Sequence, residues 1–509
     1  MRHSNCTAPA GIVEWIIPEL ESSRFMQRSA STILSSSFLA IALGLSGCAV
    51  TPAAGPDGSS SGAARVSEAA AADDQSTTAA NAFFADGATH AVGIDWDETA
   101  YADMIAAYEK DGSKEWIQAD ITIDGTLIAD IGVRLKGNST LRSLSGGDAG
   151  GPGGAVGTSA GISSDVPESL PLLIDFDKYV DGQTYEGLTQ LSLRPGSPVL
   201  NEALALALTE ASGQATQRYA YTTYSVNDGP TQTRLLVENP DEAYADSLFD
   251  SAGVLYKSDA GSSFTYQGDD LATYEEQFKQ LNKKDTANVQ PIVDFLKWLY
   301  EASDEQFDAE LANWVDVDSF ARYAATMNLL VNGDDMAGPG QNYYLWYDLE
   351  TKKISIISWD LNLAMTGNAT ASPDEQVSIG GGGGGAGRGG MQAPAADGDG
   401  GGPAMADPPG ADAATDPGAG TGTKAAGGKG GNALKERFLA SATFKPLYDK
   451  AYAELYQQLY GSGTAEALLQ DITATVPASD NLTASVLAGQ AATLKTFIQE
   501  RTAALKDQV

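Results

Sequence analysis

Residues 332–362 read NGDDMAGPGQNYYLWYDLETKKISIISWDLN. The run divides into a loop, a strand, a tight turn, a second strand and an acidic end. Residues 342–348 (NYYLWYD) are aromatic-rich, which suits a pleated, half-buried strand. Residues 349–353 supply the turn. Residues 354–359 (ISIISW) mix apolar and small polar side chains and suit the returning strand. A hairpin centred near Thr351 predicts that Asn342 and Asp360 lie opposite each other at its open end. Asp334 then sits in the Gly-containing loop that leads there. Two readings of these three residues stand side by side. Asp and Asn at strand ends are common turn formers and caps. They are also the oxygen donors that hard cations such as magnesium take, usually shared with phosphate oxygens.

Working outward, residues 318–331 predict a helix, with Phe320, Tyr323, Met327 and Leu330 on one face and Asp316 or Asp318 as N-cap. Asn332-Gly333 stops it, so Asp334 lies just past a helix end. Upstream, 116–123 and 127–135 alternate as two strands across Asp124-Gly125. The second ends in Arg134-Leu-Lys136-Gly137-Asn138-Ser139. Arg134 and Lys136 are two apart and share a face, and Gly137 permits a turn or a close approach. Further strands are expected at 170–176, 188–193 and 253–257. A hairpin is expected from 219–227 and 233–238 about Asp228-Gly229. Helices are expected at 97–109, 199–211 (strongly apolar, hence core), 274–281, 291–300 and 304–314. Beyond residue 432 they are expected at 434–439, 444–459, 465–475 and from about Leu482.

The ordered set Arg134-Leu-Lys-Gly-Asn-Ser139, Asn332-Gly-Asp334, Asn342-Tyr-Tyr344 and Trp359-Asp360-Leu-Asn362 resembles the CotH kinase family, atypical protein kinases named for a spore coat protein. The resemblance runs from about residue 83 to 505, apart from two low-complexity inserts. It implies an α+β, atypical protein-kinase-like two-lobed fold, with a sheet-rich N-terminal part and a helical C-terminal part. It implies transfer of the γ-phosphate of ATP to Ser/Thr hydroxyls of a surface or coat protein, with Mg2+ or Mn2+ as cofactor. By the same resemblance Asp360 holds the metal and Asn342 shares it. Asp334 orients or deprotonates the acceptor hydroxyl, with Asp335 its substitute if the loop register differs. Lys136 contacts nucleotide phosphate, with Arg134 second. Glu238 and Lys257 occupy matching positions and are further nucleotide-site candidates, although a Glu and a Lys at neighbouring strand ends can simply pair. One departure stands out: the family often places a basic residue beside the 170–176 strand, and here only Lys178 follows it.

Composition bounds the alternatives. The 509 residues carry a formal net charge of −36, from 31 basic and 67 acidic residues. Such a surface repels nucleic-acid phosphates, so no nucleic acid is expected, and it favours a basic partner; together with the hydroxyl acceptor that the resemblance implies, the expected acceptor is a Ser-rich, basic protein. The only histidines are His3 and His90, both outside these motifs, which argues against histidine-based hydrolysis. After Met26, an alternative start, come a short positive region and an apolar run at 33–45. It ends in Leu45-Ser-Gly-Cys48, which resembles the lipobox of bacterial lipoproteins; the other reading is an ordinary signal peptide with a chance Cys. The lipobox implies a lipidated Cys48 and an exported chain anchored at the outer face of the membrane. The expected organisation is a signal segment (1–48), a tether (49–82), a kinase-like core (83–377, with a loop insert at 143–168), a disordered Gly/Ala/Pro-rich insert (378–431) and a helical C-terminal part (432–509). The GGGGGG run lacks a Gly-Lys-Ser/Thr ending and is no phosphate loop. The rival function is a noncatalytic surface adhesion or assembly module on the same fold. It is favoured by the lack of a steady ATP supply outside the membrane and disfavoured by the joint presence of Asp334, Asn342 and Asp360.

Overall fold

The computed structural model describes residues 82–85, 87–137, 140–141, 144, 162–377 and 432–509. The expected signal segment with Cys48, the expected tether up to residue 81, most of the 143–168 stretch, residues 378–431, and Asn138 and Ser139 lie outside the described residues.

Seven strands form the N-terminal part: β1 (Thr89–Trp96), β2 (Ile117–Ile123), β3 (Thr126–Leu135), β4 (Leu172–Asp175), β5 (Gln190–Leu193), β6 (Tyr219–Val226) and β7 (Gln232–Glu238). They close into a barrel in the order β1-β2-β3-β4-β5-β7-β6. Neighbours are antiparallel except β1 and β6, whose parallel pairing completes the ring. Closure removes the unpaired edges that an open sheet would expose. Ile94, Ile121, Ile131, Val133, Leu172 and Leu191 belong to one buried cluster, covered on one side by α1 (Glu98–Asp111). Asp97 caps α1 by accepting from the Thr99 and Ala100 N–H groups.

Turn chemistry explains the hairpins. Asp124 and Gly125 both have positive φ (49° and 84°), the two-residue turn whose twist matches the flanking strands. In the β6–β7 hairpin the left-handed residues are Asn227 and Asp228, one step earlier than the expected Asp228-Gly229, because the Gly229 N–H closes the turn on the Val226 carbonyl. The β2–β3 register slips by one residue where Asp130 takes φ 60°, a bulge that resets which face of β3 looks inward before Arg134 and Lys136.

The rest of the chain is built on α2 (Leu200–Ala211), α3 (Glu242–Ser247), β8 (Gly253–Ser258), α4 (Leu271–Glu275), β9 (Phe278–Gln280), α5 (Gln290–Glu301), α6 (Asp304–Glu310), α7 (Val317–Leu329), β10 (Tyr343–Asp348) and β11 (Ile354–Ser358). After the insert come α8 (Ala433–Ala440), α9 (Lys445–Tyr456), α10 (Thr464–Thr475) and α11 (Ala484–Leu505). The second sheet has the order β11-β10-β8-β9, all antiparallel. The helix expected at 274–281 is therefore corrected. α4 stops at Glu275, and Phe278 pairs opposite Ser258 while the Leu281 N–H bonds the Leu255 carbonyl. The open edge of β8 offers backbone partners that outweigh the local helical spacing.

The content is thus mixed α and β, sheet-rich in the N-terminal part and helical in the C-terminal part, with a closed barrel in the former. The described end of the 143–168 loop is packed rather than loose: Glu168 is buried and its carbonyl accepts from the buried Arg234. Arg501 of α11 is likewise fully buried. It donates to the Asn328 and Leu329 carbonyls at the end of α7, to those of Ala369 and Ala371, and to the Tyr452 hydroxyl. A buried guanidinium must be satisfied on all sides. Satisfying it here ties the last helix to the stretch just before Asp334. No helix among the described residues is long and apolar enough to cross a membrane.

Candidate active site

The β10–β11 hairpin forms with Tyr343 opposite Ser358. Continuing that register puts Asn342 opposite Trp359, and Gln341 opposite Asp360. The predicted facing of Asn342 and Asp360 is off by one residue. The cause is the turn. The Asp348 carboxylate accepts from the Glu350 and Thr351 N–H groups and Lys352 takes φ 61°, so the hairpin pivots between Glu350 and Thr351 rather than on Thr351. Asp360 itself has φ 55°, a backbone state that a non-glycine residue holds at a cost.

Asp334 enters from the other side. α7 ends with Val331 at φ 50° and the Asn332 N–H on the Met327 carbonyl, so Val331, not Gly333, is the left-handed stop. The following loop wraps Asp334. The Gly340 N–H donates to its Oδ1 at 2.6 Å and Asn342 Nδ2 to its Oδ2 at 3.0 Å. A Cβ on Gly338 or Gly340 would collide with Asp334, so the GPG sequence is what permits the wrap. Burial pushes the Asp334 carboxyl up to about 6. The charges of Asp360 and Asp335 add to this, and the Gly340 and Asn342 hydrogen bonds oppose it. Asp335 is committed elsewhere: it pairs with Lys435 at the start of α8 and accepts from the Ala337 N–H at 2.8 Å. Asp334 is therefore the carboxylate left for chemistry.

Opposite these carboxylates lies a cluster of cations. Lys136, just past β3, reaches Ser192 in β5 and Asn239 just past β7. Its Nζ lies 5.2 Å from the centre of the Trp359 ring, Lys257 Nζ 5.4 Å and the Arg194 Cζ 5.9 Å. Arg194 is buried, held at Nε by Glu202 of α2 and at Nη2 by Asp360. Burial pulls Lys136 well below its ordinary value, and the charges of Lys257 and Arg194 pull the same way against Asp360. Lys257 is lowered too, chiefly by burial. Burial works against Arg194 as well, but Asp360 and Glu202 outweigh it and keep the guanidinium charged.

The structure thus brings together Lys136, Lys257, Asp360, Asn342 and Asp334. Arg134 stands further out, its guanidinium over Trp116 at 4.9 Å with Lys178 over the same ring, although its charge still reaches Lys136. Glu238 does not join: it pairs with Arg218, and its neighbour Asn239 is the residue that touches Lys136. The Glu238–Lys257 surface pair is thereby replaced. Sequence reading did not single out Arg194, Ser192, Asn239 or Glu202, the last hidden in a helix read as core. Ser192, Arg194 and Asn239 share one signal, a polar or charged residue in or just past the paired apolar strands β5 and β7.

Among the described residues no group of three or more His, Cys, Asp or Glu side chains could cage a metal. The donor set present is one carboxylate, Asp360, and one amide, Asn342. Magnesium accepts such a set when phosphate oxygens and water complete its shell, so the residues fit a metal carried in with a polyphosphate and not a resident, all-protein site.

The family profile described as CotH kinase protein matches residues 134–505. No curated protein matches. Among solved structures, a HipA–HipB toxin–antitoxin complex with operator DNA from Shewanella oneidensis MR-1 aligns over 62% of this chain, at 11% identity and a TM-score of 0.29. This chain spans 61% of that one, a likeness too slight to argue from.

Proposed function

The chain belongs to the CotH kinase protein family, and we propose that it transfers the γ-phosphoryl group of ATP to a Ser or Thr hydroxyl of a surface or coat protein. The observation that carries this reading is the convergence of Lys136, Lys257 and Arg194 on Trp359, with Asp360 beside them. Burial lowers the proton affinity of Lys136 and Lys257, and at Lys136 the charges of Lys257 and Arg194 add to it; a polyphosphate would favour the charged form of both lysines. We read the barrel side as the nucleotide side and the α7–α8 side, through Asp334, as the acceptor side of a two-lobed, kinase-like arrangement.

In this mechanism Lys136, Lys257 and Arg194 hold the phosphate oxygens and orient the γ-phosphorus. The acceptor oxygen forms a bond to that phosphorus as its bond to the bridging oxygen breaks. ADP departs with the bonding pair, and the acceptor proton passes to Asp334. A carboxylate suffices because phosphoryl transfer asks chiefly for positioning and charge neutralisation. Magnesium or manganese, held by Asp360 and Asn342, would supply further neutralisation at the phosphate oxygens.

The test is calorimetric titration with ATP in magnesium or manganese, beside label transfer to a Ser-rich basic peptide. Metal-dependent binding that weakens about tenfold in Lys136→Met is the expected result. Absence of nucleotide binding with any divalent metal returns the chain to the noncatalytic surface-module reading. We also propose export and lipid anchoring through Cys48, from the Leu45-Ser-Gly-Cys48 run. Cys48→Ala should abolish metabolic acyl labelling, and equal labelling of both forms removes the proposal.

A further inference from the structure

The second sheet has a reverse side. On β8, Lys257 and Tyr256 are adjacent and so face opposite ways. Lys257 looks to the cation cluster; Tyr256 and Val254 help line a solvent-open cavity of roughly 650 Å³ between that sheet, the start of α5 and the stretch after α6. This volume is that of a site for a small ligand or a few peptide residues. Its walls include Tyr256, Trp298, Trp314 and Tyr347. The aromatic shelf is rigid: Trp298 stacks between Phe307 and Trp314, at 6.2 and 5.5 Å, and the Tyr256 hydroxyl is tied to the Asn288 carbonyl. Two exposed carboxylates, Asp294 and Glu310, line the same cavity, and Glu310 is oriented by the Trp298 Nε1 at 3.3 Å. The one cation in the lining is Lys352, whose ammonium lies 6.0 Å from the Tyr347 ring centre, so one of these rings already faces a cation from its own chain.

We propose that this cavity docks a proline-containing basic segment of a separate protein partner. Proline rings and their preformed extended backbone pack on fixed aromatic walls with little ordering cost. Asp294 and Glu310 then take the flanking Arg or Lys, which displaces Lys352 from Tyr347. The chain's net charge of −36 favours the same partner from a distance. The docked segment lies behind the sheet that carries Lys257, so it tethers a partner without occupying the cation cluster. The proposal therefore stands without the kinase reading.

The probe is a dye-labelled decapeptide with spaced prolines and two terminal arginines, followed by fluorescence anisotropy on the whole chain without nucleotide. Saturable one-to-one binding is expected. The Asp294→Asn/Glu310→Gln double variant, both positions exposed, should bind about tenfold more weakly. Lys352→Ala should bind more tightly, and peptides with Ala for Pro or Gln for Arg should bind several-fold more weakly. Equal binding by wild type and double variant would mean diffuse attraction to an acidic surface and would overturn the proposal. No saturable binding, or a preference for a neutral oligosaccharide used as the comparison ligand, would overturn it as well.

Discussion

Asp334→Asn is expected to lower phosphoryl transfer by about a thousandfold or more while leaving nucleotide affinity within about twofold. In the proposed mechanism Asp334 serves the acceptor; its carboxylate accepts from Gly340 and Asn342 and pairs with none of the cations that would hold phosphate. Its carboxyl, pushed up to about 6, must be ionised to take the acceptor proton, so the wild-type kcat/KM should rise through pH 6 to a plateau. Stability moves the other way. A carboxyl raised above its unfolded value binds its proton more tightly when folded. Its stabilising contribution is full below the unfolded value of 3.8 and is lost as pH climbs through about 6. The difference corresponds to about 3 kcal/mol at most. Asn escapes that loss, but its NH2 group faces the Gly340 or Asn342 donor, at about 1–3 kcal/mol. The two nearly cancel at pH 8, so the variant should gain on wild type between pH 4 and 7 and end close to it. Parallel stability curves across that range, or retained transfer, would refute the role.

How much of this was legible beforehand depended on whether the cause was local. The β2–β3 hairpin was readable because Asp124-Gly125 dictates its own turn, and α7 because its apolar stripe has helical spacing. That Asp334, Asn342 and Asp360 lie near one another was readable because they sit within one short stretch. Barrel closure was not legible: it depends on β1 meeting β6, over a hundred residues away, in parallel. β9 was misread because its strand state comes from the waiting edge of β8 and not from its own residues. Arg194 and Glu202 were missed for the same reason. An Arg after a strand and a Glu in an apolar helix look unremarkable until the fold brings Asp360 against them.

That ion pair changes what Asp360 is asked to do. Asp360→Asn is nearly isosteric and would be structurally silent if Asp360 were only a metal ligand. Here it also neutralises Arg194, a buried guanidinium whose other carboxylate partner is Glu202. Removing one partner of a well-buried pair costs about 3–5 kcal/mol. Asp360 keeps 29% of its side chain exposed, so solvent screening should reduce that to about 1–2 kcal/mol. The expected result is therefore a double loss: transfer falls by about a thousandfold, and the nucleotide-free variant unfolds at lower denaturant. The two effects can be separated. Arg194→Met/Glu202→Gln/Asp360→Asn removes all three charges of the buried network and should recover part of the lost stability while recovering no metal-dependent binding. Manganese paramagnetic resonance in the presence of ATP gives a readout apart from turnover. Wild type should immobilise the ion with nucleotide, Asn342→Ala should do so weakly, and Asp360→Asn should not. If Asp360→Asn still immobilises manganese and loses only stability, Asp360 is a partner for Arg194 and nothing more, and the metal must be held elsewhere.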